Sequence, residues 1–313
     1  MPTVLITGGT GLIGKTLTRH LTARGYKVII VSRKARQKSD DPMITFASWN
    51  IEEQKIDTDA ISKADYIINL AGAGVMEKKW TKKYKKEIVE SRTKSSELLI
   101  RALQENNNIV KAVISASAVG WYGNDLTKGD DTKYLFAESD FADKNFLGET
   151  CRLWEESIEP VTQMNIRLVK LRTGIVLSNG GGALAEFKKP LRFGIAGILG
   201  SGKQVISWIH IDDLCRMYIY AIENEKLSGS YNAVAPLPVN NKTLILKLSK
   251  MIRGEFYIPV YVPKFLLKIF LGERSIEILK STTVSSEKIK NAGFIFLYPT
   301  IDSALKELTT KNG

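Results

Sequence analysis

Three glycines near the start of the chain have the residue type and the spacing that let a phosphate group approach the backbone. Gly8, Gly11 and Gly14 directly follow a β-branched run at residues 4–7, and apolar residues then recur at helical spacing up to Gly25. A strand, a glycine turn and a helix in this order place free backbone N–H groups and the positive end of the helix dipole against an anion. The chemistry predicted here is the binding of a pyrophosphate, as part of a dinucleotide site.

The three glycines have separate expected tasks. We expect Gly8 to permit the tight turn out of the strand, Gly11 to leave room for the phosphates, and Gly14 to let the helix lie close to the sheet. The spacing is G-x-x-G-x-x-G, and a glycine-rich turn also occurs in α/β proteins that bind no dinucleotide, but its position between a strand and a helix favours the ligand site. The predicted ligand contacts in this turn are Gly8, Thr10, Gly11, Leu12, Ile13 and Gly14.

The end of the second predicted strand, residues 28–31, indicates which dinucleotide is bound. An acidic residue at this position would hydrogen-bond the ribose hydroxyls of NAD, whereas this chain has Ser32, Arg33 and Lys34. A serine hydroxyl and an arginine fork suit the additional 2′-phosphate of NADP. The alternative is that these side chains only begin a solvated basic loop over residues 33–38. We expect NADP(H) as the cofactor.

The composition restricts the class of protein. The chain has 313 residues, 44% of them hydrophobic, and a formal charge of +12. The charge is compatible with an anionic ligand or surface, although solvated lysine-rich faces such as residues 78–86 are the commoner explanation. We find no zinc-finger spacing and no RNP-type aromatic pattern, so no nucleic-acid partner is expected. No apolar run has the roughly 20 residues of a membrane-spanning helix.

Cysteine content and the amino terminus bear on the compartment. Cys151 and Cys215 are the only cysteines, which fits a reducing compartment. The first strand follows Met1 almost directly, so we expect no signal peptide before the fold. These features predict a cytoplasmic protein without an integral membrane segment, and a homodimer is possible.

Strand and helix patterns alternate through the first half of the chain. Beyond the first two strands, further strands are predicted at residues 45–47, 66–70, 110–115 and 167–171, with helices at 81–106 and 146–156. This alternation predicts an α/β fold, a Rossmann-type doubly wound parallel sheet. The long polar stretch at residues 124–144 has no periodicity and is typical of a lid or substrate loop.

The pattern changes after residue 177. Residues 180–182 are three glycines that can act as a hinge, and short helices and strands then follow to the end. We therefore predict a cofactor-binding domain at residues 1–177, completed by strand and helix contributions from about 203–235. Residues 178–313 are predicted to form a smaller α+β lobe on the substrate side.

The chain resembles the extended short-chain dehydrogenases/reductases, and more narrowly an atypical branch, the nucleoside-diphosphate-sugar epimerase family of YfcH-like bacterial proteins. The broader resemblance lies in residues 7–14, 69–72, 115–123 and 208–213. The narrower signals are residues 31–34, Ile88 with Ser91 and Arg92, residues 154–155, 172–177, 231–232 with 235–236, and 291–294. Residues 260–308 look like the small carboxyl-terminal domain of this branch.

The resemblance implies both a cofactor and an activity. It places Ser32 and Arg33 at the adenosine phosphate of NADP, and it implies further cofactor contacts from Leu70, Ala71, Gly72, Glu87, Arg92 and Ile175. It also implies an NADP(H)-dependent oxidoreductase or epimerase-like enzyme acting on a small or nucleotide-linked carbonyl or alcohol. No metal is expected.

One departure from the superfamily pattern concerns catalysis. Ordinary members carry Tyr-x-x-x-Lys on the helix after strand five, where the tyrosine is the acid/base and the lysine lowers its pKa. Here that helix contains neither residue, and Leu147 and Cys151 fall at the two positions. An epimerase assignment is doubtful for this reason, because the required oxidation lacks its usual acid/base.

Several side chains are candidates to replace the missing pair. Ser117 matches the hydroxyl that polarises a substrate oxygen in the superfamily, and Tyr122 could offer a phenol nearby. The alternatives are that Tyr122 only packs at a strand exit, that His210 orients the following helix, and that Asp212 is the N-cap of that helix. Cys151 is expected to be a small core residue rather than a nucleophile.

Three functional hypotheses follow. The first is the NADP(H)-dependent oxidoreductase, with Ser117 and Tyr122 as the catalytic residues. The second is a catalytically silent NADP(H)-binding sensor or regulator, related by family analogy to cell division. The third is that the apolar segment 260–271, with its two lysines, lies on a membrane surface. An amphipathic helix that closes the small lobe is the simpler interpretation of that segment.

Overall fold

The structure is a computed structural model that describes residues 1–33, 39–125 and 134–310. Lys34 and residues 126–133 of the predicted substrate loop lie outside the described residues. The strands are β1 (Thr3–Thr7), β2 (Lys27–Ser32), β3 (Ile44–Asn50), β4 (Lys55–Ile56), β5 (Tyr66–Asn69), β6 (Ala112–Ala118), β7 (Arg167–Thr173), β8 (Ile175–Leu177), β9 (Ile195–Leu199), β10 (Val205–Ile206), β11 (Trp208–His210), β12 (Gly229–Ala233), β13 (Val239–Asn240) and β14 (Ile258–Val262).

The helices alternate with these strands in the first half of the chain and dominate its end. They are α1 (Leu12–Thr22), α2 (Thr58–Ser62), α3 (Lys82–Glu105), α4 (Phe146–Ile158), α5 (Ala183–Leu191), α6 (Ile211–Glu223), α7 (Asn241–Arg253), α8 (Lys264–Leu271), α9 (Arg274–Leu279), α10 (Glu287–Asn291) and α11 (Ile301–Thr309). Short 3₁₀ turns follow β6 at Val119–Trp121 and α4 at Glu159–Met164.

One eight-stranded sheet organises the first two thirds of the chain. Its order is β12-β7-β6-β5-β1-β2-β3-β4, and all neighbours are parallel except the β3–β4 pair. The chain moves outward from β1 in one direction through β2 and β3, and then returns to add β5, β6 and β7 on the other side. This reversal separates the connections that leave the carboxyl ends of β1 and β5, and such a switch point is where ligands bind in open parallel sheets. The predicted α/β fold class is confirmed.

Helices cover both faces of the sheet because each carries an apolar stripe at helical spacing. On one face α1 and α6 bury residues such as Leu17, Leu21 and Leu214 against the strands. On the other face α3 and α4 bury Leu98, Leu99 and Ile158. Two separate apolar layers therefore fix the sheet, and with it the position of the strand ends.

The small lobe has a core of its own. Leu184 of α5, Ile198 of β9, Leu244 of α7 and Leu305 of α11 belong to one buried cluster. Residues 229–233 instead form the edge strand β12 of the main sheet. The division into two domains at residue 177, with a return of the chain to the main sheet, stays a prediction.

The helix α8 has one apolar side against the lobe and a second one in solvent. Leu267 is buried and Leu266 and Leu271 are half-buried, while Phe265, Ile269 and Phe270 are largely exposed. The interpretation as a helix that closes the lobe stays a prediction, and it does not account for the second side. Within the described ranges, we find no helix that is both long and apolar enough to cross a bilayer.

Candidate functional site

The glycine turn lies at the switch point of the sheet, between the ends of β1 and β5. Gly8 has a φ of +68°, which a side chain disfavours, and a Cβ there would lie 3.0 Å from the carbonyl of Leu70. Gly14 differs from expectation, because a Cβ on it would lie 2.5 Å from Cα of Gly9 and 2.6 Å from the oxygen of Gly8. Gly14 therefore allows the helix to pack against the glycine turn itself rather than against the sheet.

The amino terminus of α1 is open to a ligand. Gly11 is its N-cap, in extended conformation, and no side chain of the described residues caps the helix; its first turn also lacks an acidic residue. A Cβ on Gly11 would meet only the oxygen of Gly8, at 3.3 Å. The first amides of a helix have no intrahelical acceptor, so this terminus can bind an anion. The predicted contacts Thr10, Leu12 and Ile13 flank this terminus.

A threonine that sequence reasoning missed joins the two central strands. The hydroxyl of Thr7 donates to Oδ1 of Asn69 at 2.7 Å and accepts from the amides of Leu70 and Ala71 at 3.1 and 3.2 Å. The side chain thereby fixes the backbone that leaves β5 beside the glycine turn. The polar residue types at the ends of two buried strands were the available signal.

Ser32 and Arg33 lie beside the glycine turn. Val31 of β2 is paired with Thr7 of β1, so Ser32 and Arg33 extend one and two residues beyond the end of β1. Ser32 is half-buried and Arg33 is exposed. A hydroxyl and a cation thus lie at this strand end.

Arg92 lies under the residues that follow β5, and no carboxylate of the described residues compensates its charge. It is 9% exposed, its Nη1 donates to the carbonyl of Ile88 at 2.8 Å, and within the described ranges it has no carboxylate partner. Burial lowers the pKa of this guanidinium from its ordinary value. Its side chain underlies Gly72, where a Cβ would lie 3.0 Å from Cζ of Arg92. The indole N–H of Trp154, below the guanidinium, is buried and finds no acceptor in the described chain.

Two other predicted contacts lie at the surface. Glu87, on α3, is exposed and forms an ion pair with Lys78 at 3.4 Å. Ile175 begins β8, pairs with Trp208 of β11 and is 41% exposed. The structure thus leaves both side chains accessible, and their contacts with a cofactor remain predictions.

The two residues predicted to stand at the positions of the Tyr-Lys pair are packing residues. On α4, Leu147 and Cys151 lie against Gly120, whose Cβ would be 3.3 Å from Leu147 and 3.5 Å from the sulfur of Cys151. Burial raises the pKa of the Cys151 thiol to about 12, so it is protonated at neutral pH. This agrees with Cys151 as a core residue.

Ser117 faces α4 and binds a buried carboxylate. Its hydroxyl donates to Oε1 of Glu155 at 2.7 Å, and Arg172 of β7 donates to the same carboxylate from Nε at 2.8 Å and Nη2 at 3.1 Å. Burial opposes ionisation, but the hydrogen bond and charge of Arg172 hold the pKa of Glu155 below its ordinary value. Glu155 is therefore ionised at neutral pH and accepts the hydrogen bond that the Ser117 hydroxyl donates.

Tyr122 is fully enclosed. Its hydroxyl donates to Oδ1 of Asn232 at 2.6 Å and accepts from Nη1 of Arg172 at 3.0 Å, and its ring stacks on Phe136. Burial raises its pKa to about 12. These contacts favour the packing interpretation of Tyr122 over a role as acid/base. Glu155, Arg172 and Asn232 entered the sequence analysis only through the family resemblance and were given no role at the site, although a polar or charged residue within each buried element was a signal.

The histidine of the lobe junction caps a helix. His210, not Asp212 as we expected, is the N-cap of α6: its Nδ1 accepts from the amide of Asp212 at 3.1 Å, and its Nε2 lies 2.8 Å from the carboxylate of Glu307. The carboxylate of Asp212 contacts His20 on α1 at 3.1 Å instead. His210 therefore orients the helix, which was one of the alternatives.

The carboxyl-terminal segment closes over the exit of β6. Lys280 donates to the carbonyl of Tyr122 at 3.1 Å, and Ser281 and Thr283 donate to the carboxylate of Asp125 at 3.1 and 2.6 Å. The small lobe is thus joined to the sheet beside Ser117 and Tyr122.

Comparisons with known proteins cover nearly the entire chain. The model of the NAD dependent epimerase/dehydratase family matches residues 4–234, and a domain of unknown function, DUF1731, matches residues 262–308. The Epimerase family protein YfhF of Bacillus subtilis is 36% identical over 306 residues, 97% of each chain. The Epimerase family protein SACOL0834 of Staphylococcus aureus is 34% identical, over 98% of this chain and 99% of its own.

Two solved structures share both fold and sequence. The human epimerase family protein SDR39U1 (isoform 2), solved with NADPH, has a TM-score of 0.86 and 29% identity, covering 99% of each chain. A nucleoside-diphosphate sugar epimerase from Corynebacterium glutamicum has a TM-score of 0.76 and 30% identity, over 99% of this chain and 58% of its own.

Proposed function

Because this chain belongs to the NAD dependent epimerase/dehydratase family of extended short-chain dehydrogenases/reductases, we propose that it is an NADP(H)-dependent oxidoreductase. Its substrate is a small or nucleotide-linked carbonyl or alcohol. The observation that carries the cofactor assignment is the uncapped helix terminus at Gly11, with Ser32 and Arg33 beside it and the buried Arg92 opposite. The NADPH-bound human relative supports the same assignment.

The proposed cofactor contacts divide between phosphates and rings. The amides at the start of α1 bind the pyrophosphate, and Arg33 and the Ser32 hydroxyl bind the 2′-phosphate. Arg92 gains the anionic partner that the described residues do not supply. The remaining proposed contacts are Gly8, Thr10, Leu12, Ile13, Gly14, Leu70, Ala71, Gly72, Glu87 and Ile175.

The proposed chemistry is a hydride transfer, since the bound nicotinamide exchanges hydride at its ring. Residues of this chain must then orient the substrate oxygen and support its change of charge. Ser117 is the candidate for this role, because its hydroxyl lies at the end of β6; its proton, which is donated to Glu155 in this structure, must turn to the substrate oxygen when substrate binds. Tyr122 is the weaker candidate, because both hydrogen-bonding directions of its hydroxyl are occupied by protein groups.

The second candidate function is a silent sensor of NADP(H). The observation that favours it is that Ser117 and Tyr122, the two candidate catalytic hydroxyls, both belong to the buried network around Arg172. Such a protein would bind the cofactor and report its redox state to a partner. We propose a cytoplasmic location for either function.

The cofactor proposal predicts selective stabilisation by NADPH. A ligand at 100 times its dissociation constant stabilises the native state by about 2.7 kcal/mol, so differential scanning calorimetry with NADPH, NADP, NADH and NAD should show a rise in Tm for the first two. Arg33→Asp should remove this preference, because an acidic residue repels the 2′-phosphate and suits the ribose of NAD.

The matched control is Lys27→Asp, which makes the same charge change at the opposite, amino end of β2. It should leave the NADPH shift in place. A chain whose Tm responds to none of the four nucleotides would contradict the cofactor assignment, and equal responses of wild type and Arg33→Asp would contradict the role of Arg33.

The catalytic proposal predicts unequal effects of two hydroxyl deletions. A carbonyl substrate would first be found by screening for NADPH oxidation. With that substrate, Ser117→Ala should lower kcat/KM by roughly a hundredfold, because a side chain that assists proton transfer contributes about that much to the rate. Tyr122→Phe should leave kcat/KM within about a fewfold of wild type, since its hydroxyl serves the fold.

Ser230→Ala is the control for Ser117, because the Ser230 hydroxyl donates to the same Glu155 carboxylate at 3.1 Å from another strand. Its activity should stay near that of wild type. If Ser117→Ala and Ser230→Ala lose activity equally, Ser117 acts only through the network. If no carbonyl substrate oxidises NADPH although NADPH binds, the sensor is the better function.

A further inference from the structure

The helix α8 leaves three of its large apolar side chains in solvent. Phe265, Ile269 and Phe270 are 63%, 65% and 70% exposed, whereas Leu267 on the opposite side is 7% exposed. Phe265 and Ile269 are one turn apart, so they form one stripe with Phe270 beside it. We call these three residues the apolar face of α8. Such a contiguous set of large exposed side chains is typical of a binding surface.

The sequence around this face is apolar and basic. Between residues 256 and 272 there is no acidic residue, and the only charged ones are Lys264 and Lys268. The preceding strand β14 adds further exposed apolar side chains, Ile258, Val260 and Tyr261. This combination of aromatic and aliphatic groups with lysines is typical of segments that lie in the interface of a bilayer.

The fold brings a second basic stretch to the same lobe. Residues 78–86, the lysine segment, contain six lysines. The segment is joined to α9, directly after α8, by an ion pair of Lys85 with Glu273 and by a hydrogen bond from Arg274 to the carbonyl of Met76 at 2.7 Å. Its exposed members Lys79, Lys82 and Lys83 form no ion pair with any residue in the described ranges.

We propose that the apolar face of α8 and the lysine segment together form a docking surface for an anionic lipid bilayer. Phe265, Ile269 and Phe270 would enter the headgroup boundary, and the lysines would contact lipid phosphates. Charge decides between a bilayer and a second copy of this chain, because two copies meeting through this face would bring together two lysine segments and two chains of net charge +12. An anionic bilayer instead neutralises them.

The test is co-sedimentation of the full chain with sucrose-loaded vesicles of phosphatidylglycerol and phosphatidylcholine in equal parts, and with vesicles of phosphatidylcholine alone. Wild type should sediment with the anionic vesicles, and less so in high salt. Phe265→Ser/Ile269→Ser should weaken the partition coefficient at least about a hundredfold, from the loss of two buried apolar groups. Lys79→Gln/Lys82→Gln/Lys83→Gln should weaken it by roughly a hundredfold as well, at about fivefold per lysine.

Matched variants separate this surface from general stickiness. Ile109→Ser/Ile295→Ser removes two other exposed isoleucines, and Lys27→Gln/Lys226→Gln/Lys306→Gln removes three other lysines; both should bind like wild type. Absence of sedimentation with anionic vesicles would overturn the proposal. So would a dimer in size-exclusion light scattering that Phe265→Ser/Ile269→Ser converts to a monomer without any change in vesicle binding.

Discussion

Replacing Arg172 with methionine is expected to lower the free energy of unfolding by about 3–5 kcal/mol at neutral pH. Arg172 and Glu155 are 3% and 5% exposed, and the guanidinium donates two hydrogen bonds to the carboxylate. Methionine fills similar volume but leaves the Glu155 charge buried with only Lys170, 3.8 Å away, to compensate it. The phenol of Tyr122 and the carbonyl of Glu138 also lose their donor. Urea unfolding followed by circular dichroism measures the change.

The loss should depend on pH in a defined direction. In wild type the pKa of Glu155 lies below its ordinary value, so the ion pair stabilises the fold above the unfolded pKa of about 4.3 and is lost as the pH falls below it. In Arg172→Met, burial acts with little opposition and raises that pKa, so protonation relieves the buried charge. The difference between wild type and variant should therefore be largest near pH 7–8 and shrink towards pH 5.

The control is the double variant Glu155→Gln/Arg172→Met, in which neither member of the buried ion pair carries a charge. It should recover part of the lost stability and show no pH dependence of the difference between pH 5 and 8. A single variant that is as stable as wild type, or whose deficit grows on acidification, would contradict the assignment of Arg172 as the counter-ion of Glu155.

The second large effect is expected for Gly14→Ala. Its Cβ would lie 2.5 Å from Cα of Gly9 and 2.6 Å from the oxygen of Gly8, so the helix and the glycine turn must separate. Because both contacts are backbone, no side-chain rotation can relieve them, and overpacking of this kind costs about 1–3 kcal/mol or more. Movement of the turn should also abolish the NADPH-dependent rise in Tm.

Gly11→Ala is the comparison that separates folding from binding. Its Cβ would meet only the oxygen of Gly8 at 3.3 Å, and the residue has an ordinary extended conformation. Its stability without ligand should stay within about 0.5 kcal/mol of wild type. Its methyl group would nevertheless occupy the phosphate approach, so NADPH stabilisation should fall. If Gly14→Ala binds NADPH as wild type does, the turn does not hold the phosphates.

The local elements of the fold, namely the glycine turn, the strands and the helices, could be predicted from the sequence. The glycine turn was predicted because the end of a strand here requires a positive φ, which Gly8 can adopt. This requirement is local, since it depends on only a few neighbouring residues. The alternation of strands with period two and helices with period 3.6 gave the parallel sheet for the same reason. Helix α3, predicted at residues 81–106, is observed at Lys82–Glu105 because its cap and apolar stripe are both local.

The tertiary structure decided which groups are available for chemistry. Ser117 and Tyr122 have suitable hydroxyls, but Glu155, Arg172 and Asn232 determine what those hydroxyls bind, and these partners are 38 to 110 residues away in sequence. Gly14 was assigned to the sheet because its contact with the turn depends on how the helix begins. Asp212 was a reasonable N-cap by residue type, whereas the helix starts one residue after His210.

The sequence by itself thus determined the α/β sheet and the glycine turn, and it predicted an anion at that turn, an NADP-type strand end and a helix without the usual acid/base. The packing of distant elements determined that Ser117 donates to Glu155, that Tyr122 is enclosed, and that Arg92 is buried without a counter-ion among the described residues. It also left Phe265, Ile269 and Phe270 of α8 in solvent. Periodicity shows that a helix has an apolar side, but only the arrangement of neighbouring elements decides whether that side is covered.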